Sequence, residues 1–296
     1  MNNKDRTYFP SKILLFGEYT ITTGSDALAV PFGEFFGKWN FNKTKNNKIL
    51  YLLSEYLRKI DWSEFNSICR CDDLDSDIAN GLYFDSNIKT GYGAGSSGAV
   101  TAGIFDSYFA TNDNSISNLK RVLAKIESFF HGVSSGIDPL VSLLNQPVNI
   151  MNTGIETCNK NILDIDDFSF YLLDSKISRS TKKYVNIYKR KMHSKRFSEE
   201  ILKPLTFCNN KIIGEMKKNN PHEIFALFKK ISRLQFQGFE EMIISGLKPI
   251  WENILSREDI SIKLCGAGGG GYYLIMAKKD MEVSEMTKDY PLTRIN

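Results

Sequence analysis

"GYGAGSSGAV" occupies residues 91–100 and sets four glycines and two adjacent serines directly ahead of a run patterned as helix. Successive backbone N–H groups in a glycine-rich turn, followed by a helix N-terminus with its partial positive charge, form an anion site suited to phosphates. The same glycines would equally serve a tight turn before a packed helix. Known phosphate motifs do not decide between the two. No lysine follows the last glycine, so this is not a Walker A loop, and the spacing fits G-x-G-x-x-G poorly. The following "SGAVTAGIFDSYFAT" is rich in small and apolar residues at helical spacing, with Ser96 or Ser97 placed to cap its first turn and Ser96 the expected cap.

Downstream, "SISNLKRVLAKIESFFHG" puts Leu119, Val122, Leu123, Ile126 and Phe130 on one helical stripe that stops at Gly132. Glu127 falls at the border of that stripe, with no lysine four residues away on either side to account for it as a helical salt bridge. Upstream, "KILLFGEYTI" reads as a strand that bends at Gly17 or a hairpin, and "ALAVPF" as a second short strand. Residues 47–58 read as an amphipathic helix. "CDDLDSDIANGLYFDSNI" carries Asp73, Asp75 and Asp77 at alternate positions, as a calcium loop does. That reading fails, because Ile78 stands where glycine is needed and Phe84 where a bidentate glutamate is needed, and a solvated loop leading into a strand is expected.

In the second half "FSFYLLDSKI" reads as a strand, residues 181–257 are mostly helical in pattern, and "SIKLCGAGGGGYYLIMAKK" gives strand, glycine loop, strand. The 296 residues suffice for two domains of about 150 residues each. With no repeat or linker to mark it, the boundary is set by the change of pattern near residue 160, giving domains 1–160 and 161–296.

Composition narrows the function. Apolar residues at 42% and charged residues at 24% are ordinary for a globular protein, and the net charge of +4 is spread along the chain, so nucleic acid is not an expected partner. Lys182, Lys183, Lys189, Arg190 and Lys191 lie in a helical pattern and are expected on a solvated face. The five cysteines suggest neither a disulfide framework nor a zinc site, which fits reduced thiols in a cytoplasm. The polar N-terminus and the lack of any stretch approaching ~20 apolar residues point away from secretion and the membrane. With three histidines, a metal would need oxygen ligands.

"KILLFGEYTITTGSDALAVPF" (12–32), "GYGAGSSGAV" and "KLCGAGGGGYYL" (263–274) together resemble the three ordered motifs of the GHMP kinase family, which joins galactokinase, homoserine kinase, mevalonate kinase and phosphomevalonate kinase. "ESFFHGVSSGIDPLVS" (127–142) and "DSKISRSTKKYV" (174–185) are similar to the mevalonate kinase branch in particular. The resemblance implies an α+β fold of two domains, an N-terminal one like ribosomal protein S5 domain 2 and a C-terminal ferredoxin-like one, with ATP and acceptor meeting in the cleft between them. It also implies an ATP- and Mg²⁺-dependent transfer to a small-molecule hydroxyl, most closely that of mevalonate.

Carried over by position, Asp138 would be the base that accepts the hydroxyl proton, and Lys12 would pair with it near the transferring phosphate. An ammonium beside a carboxylate favours its charged form and stabilises charge developing in a transition state. Ser97 and Glu127 would be the Mg²⁺ ligands, consistent with an ion that takes few oxygen ligands from protein. Gly91, Gly93, Ala94, Gly95, Ser96, Ser97 and Gly98 would hold the nucleotide phosphates. Glu18, Tyr19, Ser135, Arg179, Ser180, Thr181, Gly266, Ala267 and Gly268 would serve substrate binding. The residues keep bland readings beside these: Lys12 as a surface residue at a strand start, Asp138 before Pro139 as turn chemistry, the 266–271 loop as a plain hairpin turn rather than a second anion site or a support for the first. His131 reads equally as a helix-end packing residue and as a site residue.

Two positions depart from the family pattern. Tyr19 stands where mevalonate kinases usually carry histidine, so "GEY" looks more like phosphomevalonate kinase. Ala94 and Gly98 stand where the family loop usually has leucine and alanine. Phosphomevalonate kinase or another acceptor is therefore the alternative, mevalonate diphosphate decarboxylase fits Glu127 and "SSGID" poorly, and a non-catalytic nucleotide-binding regulator is the reading from another class. A homodimer is compatible with the resemblance.

Overall fold

The structure, a computed structural model, describes residues 8–159, 161–179, 181–287 and 289–295. The chain forms two compact units, residues 1–12, 31–89 and 94–146 in one and residues 13–30, 90–93 and 147–296 in the other. The division falls inside two strands and inside the glycine loop, because the chain enters and leaves each unit more than once.

The first unit holds parts of β1 (Phe9–Phe16) and β2 (Ala27–Phe41), then α1 (Lys48–Leu57), β3 (Ser67–Cys69), α2 (Cys71–Ala79), β4 (Leu82–Ser86), α3 (Ser96–Tyr108), β5 (Phe109–Thr111), α4 (Ile116–His131) and α5 (Ile137–Leu144). The far half of β2 pairs antiparallel with β4, Gly37 opposite Ser86 through Phe41 opposite Leu82, and Trp39 meets Phe84 edge-on at 4.8 Å. Such cross-strand aromatic pairs fix register as well as stabilise it. α4 forms where expected. Ser115 caps it by accepting from the Asn118 amide, and Gly132 ends it at φ 76°. Leu119, Val122, Leu123 and Ile126 are buried beneath it, while Phe130 is half-buried. Burial of each such side chain is worth about 1.5–3 kcal/mol.

Three expectations are corrected here. The acidic stretch is helix α2, not a loop, because Cys71, Leu74 and Ile78 bury one face, while Asp72 and Asp73 are exposed and the half-buried Asp75 and Asp77 accept from Ser54 and Tyr108. "KILLFGEYTI" is a strand only to Phe16 and continues into a 3₁₀ turn over Thr20–Thr23 rather than a hairpin. The strand beginning at Ala27 runs fifteen residues, well past "ALAVPF".

In the second unit, the first residues of β2 pair antiparallel with β6 (Val148–Met151), which pairs with β7 (Gly154–Thr157). β8 (Phe168–Asp174), β9 (Ile260–Leu264), β10 (Tyr272–Lys278) and β11 (Leu292–Arg294) form an antiparallel sheet in the order β11-β8-β10-β9. Between β8 and β9 run α6 (Thr181–Lys191), α7 (Lys195–Phe197), α8 (Lys203–Lys218), α9 (Pro221–Gly238) and α10 (Lys248–Leu255). Numbered along the chain, the four strands lie in the order 4-1-3-2 with the helices between the first and second, which is the split β-α-β arrangement of a ferredoxin-like domain. The basic residues of α6 lie mainly on the exposed face expected of them.

Candidate functional site

In the first unit, the segment Ala94–Gly98 turns into α3. Gly95 is its N-cap at φ 77°, a left-handed conformation natural to glycine, and no side chain caps the helix. Ser96 is therefore not the cap expected from the sequence. The first helical bond runs from the Ala99 amide to the Gly95 carbonyl at 2.9 Å, and the N-terminal amides ahead of it are the groups a helix leaves for an external acceptor.

Beside this turn the Lys12 amide donates to the Ala94 carbonyl at 2.9 Å, so β1 carries the Lys12 side chain along the loop. Its Nζ lies 2.7 Å from Asp138 Oδ1, with side-chain exposures of 10% for Lys12 and 33% for Asp138. Oδ1 is thus held while the carboxylate stays open to a ligand. Asp138 sits in the first turn of α5, where a carboxylate is favoured by the helix dipole. A Cβ built on Gly95 would lie 3.6 Å from Asp138 Oδ2, which places that second oxygen against the glycine turn. Gly98 explains how α5 comes so close. A Cβ there would meet the Asp138 carbonyl carbon at 2.8 Å and the Pro139 nitrogen at 2.9 Å.

A second cluster lies in the same first turn of α3. Ser97 Oγ donates to Glu127 Oε1 at 2.9 Å and lies 2.9 Å from His131 Nε2. Since the hydroxyl has one hydrogen and gives it to the carboxylate, His131 contributes the N–H. Ser134 Oγ donates to Glu127 Oε2 at 2.5 Å. Glu127 is only 5% exposed, and burial, reinforced by the Asp138 charge, pushes its carboxyl above the ordinary range despite the two hydroxyl bonds and His131. A buried carboxylate flanked by hydroxyl donors and lacking a lysine or arginine partner among the described residues suits a hard divalent cation. Glu127 and Ser97 supply the oxygen donors Mg²⁺ prefers, so the residues present fit the ion.

Ser134, which the sequence analysis did not single out, joins this cluster, whereas Ser135, expected to bind substrate, does not reach Glu127. Ser135 is exposed and its Oγ accepts from the Ile137 amide at 3.4 Å.

The second unit gathers most of the other expected residues. The loop after β9 carries Gly266, Ala267 and Gly268. The Ala267 carbonyl accepts from Tyr19 Oη at 2.6 Å, and the Tyr19 ring packs on Tyr188 and Phe239 with centroids 4.6 and 5.4 Å away. Burial raises the Tyr19 phenol well above its usual range. The amides of Gly269 and Gly271 donate to Met242 and Ile177 carbonyls, so these two serve loop structure rather than an anion. Arg179 lies against the glycine backbone. Its Nη1 donates to the Gly268 and Gly270 carbonyls at 3.3 and 3.4 Å, its own amide donates to the Gly91 carbonyl, and a Cβ on Gly93 would collide with Nη2. Burial lowers its affinity for the proton. Thr181 is the exposed first residue of α6, and Ser180 lies outside the described residues.

Glu18 is buried against Lys263, whose Nζ also donates to the Leu15 and Leu264 carbonyls at 2.8 and 2.7 Å. Burial raises the Glu18 carboxyl above its ordinary range, with Lys263 and the Gly266 amide opposing. Lys263 had no role in the sequence reading, although a lysine among the Ile260, Ile262 and Leu264 of a five-residue strand was the available signal.

Residues 57–146 match the family model of the GHMP kinases N terminal domain. Over 94% of its length this chain is 24% identical to the mevalonate kinase of Pyrococcus abyssi, covering 90% of that protein. Among solved structures a mevalonate kinase superposes with a TM-score of 0.68 at 19% identity, covering 97% of each chain. Streptococcus pneumoniae phosphomevalonate kinase, solved with phosphomevalonate and AMPPNP, gives 0.66 at 13% identity, covering 97% of this chain and 99% of that one. The chain is therefore similar to the GHMP kinases over residues 57–146 and shares the fold of these solved kinases.

Proposed function

We propose that this protein transfers the γ-phosphoryl group of ATP to the hydroxyl of a small molecule, with mevalonate the acceptor best supported by its relatives. The observation that carries the reading is the Lys12–Asp138 pair set against the uncapped N-terminus of α3. Phosphoryl transfer requires little of a protein beyond holding phosphates, orienting a nucleophile and neutralising charge. The Gly95–Gly98 amides at the start of α3 hold phosphate oxygens. Asp138, fixed through Oδ1, offers Oδ2 to the acceptor hydroxyl, orients it and takes its proton. Lys12, beside both groups, balances the carboxylate and the charge that develops on the transferring group.

Glu127 and Ser97 would hold Mg²⁺, with Ser134 and His131 orienting them. When bound, the ion would neutralise charge on the phosphates. In the second unit we assign acceptor selection to Tyr19 and Arg179.

A second acceptor is favoured by one observation. Tyr19 gives its only hydrogen to Ala267, whereas a histidine donating in the same way would keep its second ring nitrogen for substrate. That supports phosphomevalonate or another acceptor as the runner-up, and the near-equal superpositions do not separate the two.

ADP release coupled to NADH oxidation, measured with mevalonate, phosphomevalonate, homoserine and sugars, tests the assignment. Acceptor-dependent ADP release with mevalonate alone is the expected outcome. Turnover with phosphomevalonate instead would move the acceptor, and ATP binding with no turnover on any of them would make the chain a nucleotide-binding regulator.

A further inference from the structure

Two cysteines outside the kinase site face each other. Cys69 closes β3, Cys71 opens α2, and only Arg70 separates them. Their sulfurs are 3.0 Å apart, with the Cys71 S–H donating to Cys69. The link is pinned on both sides. The Arg70 amide donates to the Tyr108 carbonyl at 2.8 Å, and the Arg70 carbonyl accepts the first bond of α2 from Leu74.

The separation itself discriminates between uses of the pair. Two thiolates bound to one tetrahedral zinc, each about 2.3 Å from the metal, would stand roughly 3.7 Å apart. A disulfide brings the sulfurs to about 2.05 Å. The observed contact is shorter than a metal pair needs and about 1 Å from a bond, and no group of three metal-binding side chains occurs among the described residues. Access is also provided. Both cysteines line a surface cavity of about 630 Å³, with Arg58, Trp62, Ile68 and Arg70 among its walls. Cys69 is the more open of the two, half-buried where Cys71 is buried.

We propose that Cys69 and Cys71 are a reversible dithiol site, oxidised to an intramolecular disulfide by exchange with a low-molecular-weight disulfide. Cys69 is half-buried at the cavity wall while Cys71 is buried, so the first attack belongs to Cys69, slowed by the burial that pushes its thiol up. Cys69 loses its proton to solvent and attacks one sulfur of the reagent, forming a mixed disulfide and expelling one thiolate. Cys71, deprotonated in turn, attacks Cys69 Sγ and expels the second thiolate. The pair gives up two electrons and two protons, and the reagent becomes two thiols. Closing so short a loop at an accessible edge places the bond among the labile, reversible disulfides.

The test uses the full chain in glutathione buffers of increasing disulfide content, alkylated and then digested with trypsin. Trypsin cuts after Arg70, so peptides 60–70 and 71–89 separate when the thiols are reduced and stay joined when the disulfide has formed. The expected result is a joined pair, lighter by about 2 Da than the sum of its free-thiol peptides, that dithiothreitol separates. In Cys71→Ser the glutathione adduct should accumulate on Cys69, while Cys69→Ser should leave Cys71 unmodified at the same ratio. Separately alkylated peptides at every ratio, a glutathione adduct on wild-type Cys69 that never closes, or joining of either cysteine to Cys158 would each overturn the proposal.

Discussion

Replacing Gly98 with alanine tests how the candidate base is held. A Cβ at this position would sit 2.8 Å from the Asp138 carbonyl carbon and 2.9 Å from both Asp138 Cβ and Pro139 N. These atoms belong to the α5 backbone and the root of the side chain, so no flexible group can swing away. Restoring an ordinary contact requires α3 and α5 to part by roughly 0.6 Å from that 2.8 Å. Alanine gains up to about 1 kcal/mol of helix propensity over glycine. Overpacking costs about 1–3 kcal/mol, so the net destabilisation is about 0–2 kcal/mol and the fall in Tm a few degrees. Activity should suffer more. The shift acts directly on Asp138, and a displacement near 1 Å in a reacting group costs about 10²-fold, so kcat should fall roughly 10- to 100-fold. Acceptor-dependent ADP release and a thermal melt on the same preparation measure both. A Gly98→Ala protein with unchanged kcat and an unchanged or raised Tm would refute the close α3–α5 approach as the support for Asp138.

Two further outcomes follow from buried charge. Glu127 has a folded-state carboxyl raised by burial and by Asp138, so its contribution to stability is fully present below the ordinary carboxylate range and is lost as pH rises through the raised value. In chelator, Glu127→Gln should therefore melt higher than wild type at neutral pH, the gap closing as pH falls below the ordinary carboxylate range, while turnover is lost. A gap that is constant with pH would contradict the burial argument. Lys263→Met leaves Glu18 buried without its cation, a change worth about 3–5 kcal/mol, and adding Glu18→Gln should recover part of the loss. A Lys263→Met melt equal to wild type would show that the pair does not stabilise the β1–β9 junction.

The sequence exposed those parts of the site that depend on local pattern. The stripe of α4 placed Glu127 at its margin, and the glycine turn before α3 was readable from residue type. What stayed hidden depends on long-range packing. Ser134 was not singled out from the sequence, and it reaches Glu127 beside Gly136, whose left-handed backbone at the start of α5 packs against the Lys120 carbonyl of α4. The Glu18–Lys263 pair joins residues nearly the whole chain apart. Helix α2 was legible in the spacing of Cys71, Leu74 and Ile78, but its alternating aspartates drew attention to a metal loop instead. Ser96 was a sound cap by residue type, yet Gly95 takes the N-cap position in a left-handed conformation that leaves the helix N-terminus open.

The central claim is that Asp138, held by Lys12 at the N-terminus of α3, takes the proton of the acceptor hydroxyl. Acceptor-dependent ADP release at saturating ATP and Mg²⁺, compared between wild type and Asp138→Asn with nucleotide affinity measured in parallel, tests it most directly. Asparagine keeps the shape and removes the base, so kcat should fall about 10²–10⁴-fold while ATP affinity and Tm stay close to wild type. An Asp138→Asn protein that turns over at the wild-type rate would contradict the account.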